Sequence, residues 1–194
     1  MTYRPRDYWT RRASAAGENY VGPGNRADRT AEQKEEFEKA LSWPILSRRS
    51  SQLLDFGCGS GRFSSFLASS SKAYLGVDIS PVGIEQARER NPKLDFLYLP
   101  HDRIPLADGV VDTVVAITVF QHIVAATDFD LWTSEVRRVL APKGRVYLIE
   151  QKVYEDREPD EHVLPRTPDK FEAALGLKLL KLENLPEHWI GVFE

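Results

Sequence analysis

The chain has 194 residues, of which 42% are hydrophobic and 28% charged, with a formal net charge of −3. That is enough for one domain with a substantial core. No apolar run approaches ~18 residues, which excludes a membrane-spanning helix, and the negative charge offers no general attraction to nucleic acid. Cys58 is the single cysteine, so no internal disulfide can form, and a reducing, cytoplasmic setting is the simplest expectation. The segment from Met1 to Arg6 has no apolar stretch of the secretory type. No Cys/His cluster has zinc spacing, and dispersed acids alone do not make a magnesium site, so no metal is expected.

Residues 1–29 are basic and aromatic and carry no apolar period, so they read as irregular. Tyr8, Trp9 and Tyr20 stand beside Gly22-Pro23-Gly24. A frayed tail is one reading. A folded cap is favoured, because three large aromatic side chains are costly to expose together. Thr30-Ala31-Glu32-Gln33 has the form of a capping box opening a helix, with Phe37, Ala40 and Leu41 on one face and Pro44 as its limit. Arg48-Arg49-Ser50-Ser51 reads as an exposed link. The expected division is a cap and lead-in helix over 1–50 and a core over 51–194.

The core opens on Leu53-Leu54-Asp55-Phe56-Gly57-Cys58-Gly59-Ser60-Gly61, an apolar run ending in an acid with three alternating glycines behind it. Phe63, Phe66 and Leu67 then fall at helical spacing, giving the order strand, tight turn, helix. Glycines permit positive φ and a close approach of backbone to a ligand. A dinucleotide loop would need its third glycine where Arg62 stands. A P-loop would need Gly-Lys-Ser/Thr, whereas Arg62-Phe63 follows Gly61. Ala73 to Ile79 is a second strand ending in the acid Asp78, near the ~20-residue offset at which such a carboxylate grips ribose hydroxyls. Ser80-Pro81 caps the next helix, Val82 to Arg90. Leu94 to Leu99 is a third strand. Val110 to Phe120 is a long apolar run that fits a strand buried on both faces. Asp128 can cap a helix bearing Leu131, Trp132, Val136, Val139 and Leu140. Ala141-Pro142-Lys143-Gly144 turns the chain into a strand over Arg145–Glu150. Residues 152–166 are a charged loop, open to reading as a lid or as a solvated connection. Thr167-Pro168 caps a helix ending at Leu175-Gly176. Leu177–Leu182 and Ile190–Phe193 read as the last strands, joined through Pro186-Glu187-His188-Trp189.

The D-x-G-x-G-x-G loop, the second-strand acid, the strand-end His122 and the Pro-x-Gly turn resemble the class I S-adenosylmethionine (SAM) methyltransferases over about residues 52–151. The resemblance implies a Rossmann-like, mostly parallel seven-stranded α/β sheet with helices on both faces, and SAM as cofactor. It puts Asp55, Gly57, Cys58, Gly59, Gly61, Asp78, Ile79 and Thr118 at the cofactor, with Asp55 suited to an ammonium partner and Cys58 a small packing residue. Asp102 is the candidate for the adenine amino group or, alternatively, a loop-capping acid. At the acceptor mouth stand Gln121, His122 and Glu150, with Tyr8, Trp9 and Tyr20 in the cap. His122 is the one group there whose ordinary pKa lies near operating pH. It reads equally as general base or as a structural cap.

The expected acceptor is a small molecule methylated on oxygen or nitrogen. The residues after the fourth strand, Val119-Phe120-Gln121-His122, lack the Asn/Asp-Pro-Pro-aromatic pattern of amino-methylating nucleic-acid enzymes. A narrower resemblance links Tyr8-Trp9, His122, Glu150-Gln151 and Asn184-Leu185-Pro186 to protein N-terminal amine methyltransferases, which keeps a peptide acceptor as an alternative. A SAM-binding regulator without activity is another. The oligomeric state is left open.

Overall fold

The apolar runs become seven strands, in the hydrogen-bonded order β3-β2-β1-β4-β5-β7-β6. The computed structural model describes residues 3–16, 27–46, 50–154 and 161–194. By compactness the chain divides into two units, Arg6–Tyr98 and Leu99–Glu194 with Met1–Pro5. Among the described residues no helix is long and apolar enough to cross a membrane.

In the first unit, α1 (Pro5–Ala16) and α2 (Ala27–Leu46) precede β1 (Ser50–Phe56), α3 (Ser64–Ala68), β2 (Ser71–Asp78), α4 (Pro81–Arg90) and β3 (Asp95–Tyr98). The strands β1, β2 and β3 pair in parallel, with Leu54 opposite Leu75 and Val77 opposite Leu97. Leu53, Leu54, Val77 and Leu67 are fully buried. The helix α2 packs its buried Phe37 against Phe63, ring centroids 6.1 Å apart. The expected irregular N-terminus is corrected here: α1 is a helix of 12 residues. Pro5 supplies a preset first-turn φ and Asp7 a first-turn acid, signals that do not depend on an apolar period. Likewise Thr30 and Pro44 fall inside α2 rather than at its ends. Residues 17–26 and 47–49 lie outside the described residues, and with them Tyr20, Gly22-Pro23-Gly24 and Arg48-Arg49.

In the second unit, β4 (Val111–Ile117), α5 (Ala126–Val139), β5 (Leu140–Gln151), α6 (Pro168–Leu175), β6 (Leu179–Asn184) and β7 (His188–Phe193) follow in order. The strands β4 and β5 are parallel, whereas β7 runs antiparallel to both β5 and β6. The pairing of β5 is irregular around Pro142–Gly144 and regular from Arg145, where Lys143 has φ 60. The apolar run read as one strand to Phe120 ends at Ile117, and Phe120–His122 form a 3-10 turn. The strand β7 starts at His188, so the connection is shorter than the sequence suggests, and Leu185 N–H bonds His188 O at 2.9 Å. Asp128 falls within the first turn of α5, behind the cap position Ala125. The helix α6 ends as expected, with Gly176 left-handed at φ 62.

An aromatic cluster closes this unit. Phe171 is fully buried and meets Phe120, Phe129 and Trp189 at 5.4–5.5 Å between centroids. Edge-to-face rings of this kind add to the area they bury. Phe171→Ala should therefore cost about 3–5 kcal/mol. Urea unfolding should show a lower midpoint with an unchanged slope.

Candidate functional site

The glycine loop is built from backbone geometry that other residues would not hold. Gly57, Gly59 and Gly61 have φ of 77, 55 and 72. The loop folds back onto β2: Gly57 N–H and Cys58 N–H both donate to Val77 O, at 2.8 and 3.0 Å. Gly59 N–H donates to Asp78 Oδ2 at 2.9 Å. The other oxygen of Asp78 accepts from Ser80 N–H at 2.7 Å, and Ser80 Oγ caps α4 by accepting from Gly83 N–H at 3.1 Å. One carboxylate thus joins the loop to the start of α4. Gly61 lies hard against α4, where a Cβ would come within 2.7 Å of Asn91 Nδ2. Asn91 in turn donates to Gly61 O at 2.9 Å and accepts from Ser65 Oγ at 2.6 Å.

Asp55 ends β1 and is buried, its Oδ2 2.6 Å from Tyr74 Oη. Tyr74 Oη also lies 2.6 Å from Ser64 Oγ. Burial pushes the Asp55 carboxyl up to about 7, the Tyr74 bond opposes this, and the charge of Asp78 adds to it. Asp78 is likewise raised by burial against the pull of its backbone donors. The Cys58 thiol is raised by burial and by both acids, which fits a packing role rather than a nucleophile. Two desolvated carboxylates beside the glycine loop form a place where a cation is favoured.

The second unit repeats the device. Thr118 N–H donates to Ile149 O at 2.6 Å, and Thr118 itself is left-handed at φ 55, a strained setting for a β-branched residue. Glu150 is buried near the end of β5. Its Oε1 accepts from Val119 N–H and Phe120 N–H at 3.0 and 2.9 Å, and its Oε2 accepts from Gln121 N–H at 2.7 Å. This carboxylate is raised to about 7 by burial, opposed by the three amides and by the charge of Arg166. Both oxygens of Glu150, expected at the acceptor, are therefore engaged in holding the turn. Gln121 is buried and accepts from Gln151 N–H at 2.8 Å through Oε1.

His122 is half-buried, with Nδ1 2.9 Å from His162 O and Nε2 3.4 Å from Gln121 Nε2. A carbonyl only accepts, so in the neutral ring Nδ1 carries the proton and Nε2 the lone pair. Tyr3 Oη donates to His122 O at 2.9 Å. Asp102 is exposed, two residues before Ile104, whose N–H donates to Glu135 Oε2 at 2.8 Å. Ile79 is half-buried beside Asp78. On α1, Tyr8 and Trp9 meet edge to face at 5.1 Å, and Arg12 donates to Tyr8 Oη at 3.3 Å. That helix reaches α4 through Gln86 Nε2, which donates to Ala13 O at 3.1 Å. Among the described residues no group of acids, histidines or cysteine could hold a metal. Sequence reasoning missed Tyr74, Asn91, Tyr3 and Arg166. Only Tyr74, a lone hydroxyl inside an apolar strand, gave any signal.

Strand, glycine turn and helix followed by a second strand-end acid define a Rossmann-like α/β protein. Residues 54–148 match the model of the methyltransferase domain family. That match, over just under half of the chain, and this architecture support a class I SAM-dependent methyltransferase. It is 31% identical over 93 residues to a malonyl-[acyl-carrier protein] O-methyltransferase of Serratia marcescens, a stretch covering 48% of this chain and 35% of that protein. The chain spans well under two thirds of the length of the curated relatives it matches. Among solved structures it resembles the N-methyltransferase NodS of Bradyrhizobium japonicum in complex with S-adenosylhomocysteine, at TM-score 0.75, 17% identity and 98% coverage of each chain. A DhpI complex with SAM is similar at TM-score 0.74 and 19% identity, over 100% of both chains. At such identities the likeness is one of fold.

The buried acids give a pH dependence of known sign. Asp55 has its folded pKa raised from 3.8 to about 7. The folded state therefore binds more protons than the unfolded one between those values, and stability falls as pH rises through that window. Asp55→Asn cannot ionise and keeps an acceptor for Tyr74. Its stability relative to wild type should increase from pH 4 to pH 7.5, by up to a few kcal/mol. Urea unfolding of both proteins at each pH checks this. Glu150 shifts the same way and His188 is lowered to about 4, so only the difference between the two proteins is diagnostic.

Proposed function

We propose that this chain transfers a methyl group from SAM to an oxygen or nitrogen of a small acceptor. The observation that carries the proposal is the pair of buried carboxylates, Asp55 and Asp78, at the three-glycine loop. SAM brings a sulfonium and an ammonium, and both suit such a site. Asp78 has one oxygen on Gly59 N–H and the other on Ser80 N–H, with lone pairs remaining for ribose hydroxyls. Gly57, Cys58, Gly61 and Ile79 would complete this cofactor surface, and Asp102 and Thr118 are assigned to the adenine and methionine portions. The small-molecule reading rests on the net charge of −3, which disfavours polyanions. Relatives named as O- and N-methyltransferases support a heteroatom acceptor. The lone cysteine fits a cytoplasmic setting.

In the transfer, an acceptor lone pair forms the new bond to the methyl carbon. The carbon–sulfur bond breaks, and its electrons leave on a neutral thioether. The thioether needs no acid, so alignment carries much of the rate. Where the acceptor is an alcohol or protonated amine, its proton passes to His122 Nε2, the nitrogen left basic by the Nδ1 bond to His162 O. Gln121 and Glu150 order that turn, and Tyr8, Trp9 and Tyr20 are assigned to the acceptor side.

Calorimetry should show SAM and S-adenosylhomocysteine binding, with NAD silent. Asp78→Ala should weaken SAM severalfold or more, since charge-assisted bonds are worth about 1.5–3 kcal/mol. Unchanged affinity would remove the ribose assignment. In a screen of hydroxylated metabolites, amines, peptides and nucleic acids, a metabolite should be the best acceptor. Preference for free peptide N-termini would favour the amine-methylating alternative, and activity on none of them a regulatory one. With the best acceptor, His122→Ala should lower turnover by about 10²–10⁴-fold with SAM affinity intact. A loss of SAM affinity instead would assign His122 a purely structural part.

A further inference from the structure

The turn bearing His122 is gripped from two directions, by the strand-end Glu150 and by Arg166 from the loop before α6. Glu150 takes its donors: the amides of Val119, Phe120 and Gln121. Arg166 takes its acceptors, with Nη1 donating to Phe120 O at 2.9 Å and Nη2 to Ile123 O at 2.7 Å. Arg166 is itself fixed. Its guanidinium lies 4.1 Å over the Phe129 ring, and its carbonyl accepts from Trp189 Nε1–H at 3.1 Å. The loop that carries it also reaches the turn through Leu164 N–H, which donates to Gln121 O at 2.7 Å, and through His162 O at His122 Nδ1.

We propose that Arg166, acting with Glu150, is the positioning residue of this site: the pair clamps the Phe120–Ile123 turn so that His122 presents Nε2 in one orientation. The proposal rests on the reading of His122 as the base. A planar guanidinium can reach two carbonyls at once in a fixed geometry, which a lysine ammonium cannot reproduce. The anion and cation have complementary tasks: Glu150 takes the amides at the start of the turn, and Arg166 spans its two ends by binding Phe120 O and Ile123 O. Removing Glu150 leaves the amides of Val119, Phe120 and Gln121 without that acceptor, and removing Arg166 leaves Ile123 O without that donor, while Phe120 O keeps Ile123 N–H at 3.0 Å. The turn would then relax, taking with it the His122–His162 contact that fixes the tautomer.

The test uses the full chain labelled with ¹⁵N-histidine and needs no acceptor. Long-range ¹H–¹⁵N spectra of the wild type should show His122 as a single Nδ1–H tautomer. Arg166→Met should give mixed tautomers or a broadened signal, with calorimetric affinity for S-adenosylhomocysteine and the far-UV circular dichroism unchanged. Arg166→Lys should fold and shift the same signal part of the way. A folded Arg166→Met with wild-type His122 shifts overturns the proposal. If that variant does not fold, wild-type shifts in Arg166→Lys overturn it. The outcome is separable from the catalytic reading: a perturbed His122 spectrum together with full turnover in His122→Ala would keep the clamp and remove the base.

Discussion

Everything at this site depends on a carboxylate buried near a strand end and answered by backbone amides from the loop after the neighbouring parallel strand. The chain uses the arrangement twice. Val77 O and Asp78 receive the loop after β1, and Ile149 O and Glu150 receive the loop after β4. In both loops the first residue past the strand is left-handed, Gly57 in one and Thr118 in the other. A loop tied at its first amide and again one to three residues later has little freedom left. Ordering is thus achieved before any ligand arrives, the condition under which binding energy is not lost to loop entropy.

The two copies differ in what they leave unsatisfied. At Glu150 three amides converge and the charge of Arg166 favours its ionised form. Burial raises the proton affinity of both Asp55 and Asp78, and the charge of Asp78 adds to it at Asp55; the hydroxyls of Tyr74 and Ser64 oppose this at Asp55 and the amides of Gly59, Ile79 and Ser80 at Asp78. The first copy therefore has a second buried acid, Asp55, beside it, whereas the second has the cation of Arg166. A fold that optimised stability alone would not bury two acids of which one feels the charge of the other. Their cost is consistent with a site that awaits a cation.

The parts of this design written in short-range chemistry were legible in the sequence. The acid–glycine loop, the Ser80-Pro81 cap, the strand-end Asp78 and the Gly176 stop each follow from φ preference or capping, and each stands where expected. The parts written in long-range contacts were not. Nothing local in Val110–Phe120 marks a strand end at Ile117, because the break is imposed by a glutamate about 30 residues away. The helix α1 was hidden by its lack of an apolar stripe, for only Ala13 among its described side chains is buried. Arg166 lies in a charged stretch open to reading as a lid or as a solvated loop, and its role appears only when Phe120, Ile123 and Trp189 converge on it.

Phe120 belongs at once to the His122 turn and to the aromatic core. Its amide is bound by Glu150, while its ring, fully buried, packs against Phe129 and Phe171. The turn cannot open without withdrawing that ring from the cluster. The amide protons of Val119, Phe120 and Gln121 should then exchange with solvent on the timescale of the whole unit's unfolding rather than of loop fluctuation. A segment that looks like an ordinary connection is kinetically part of the core, and the imidazole it carries inherits that slowness.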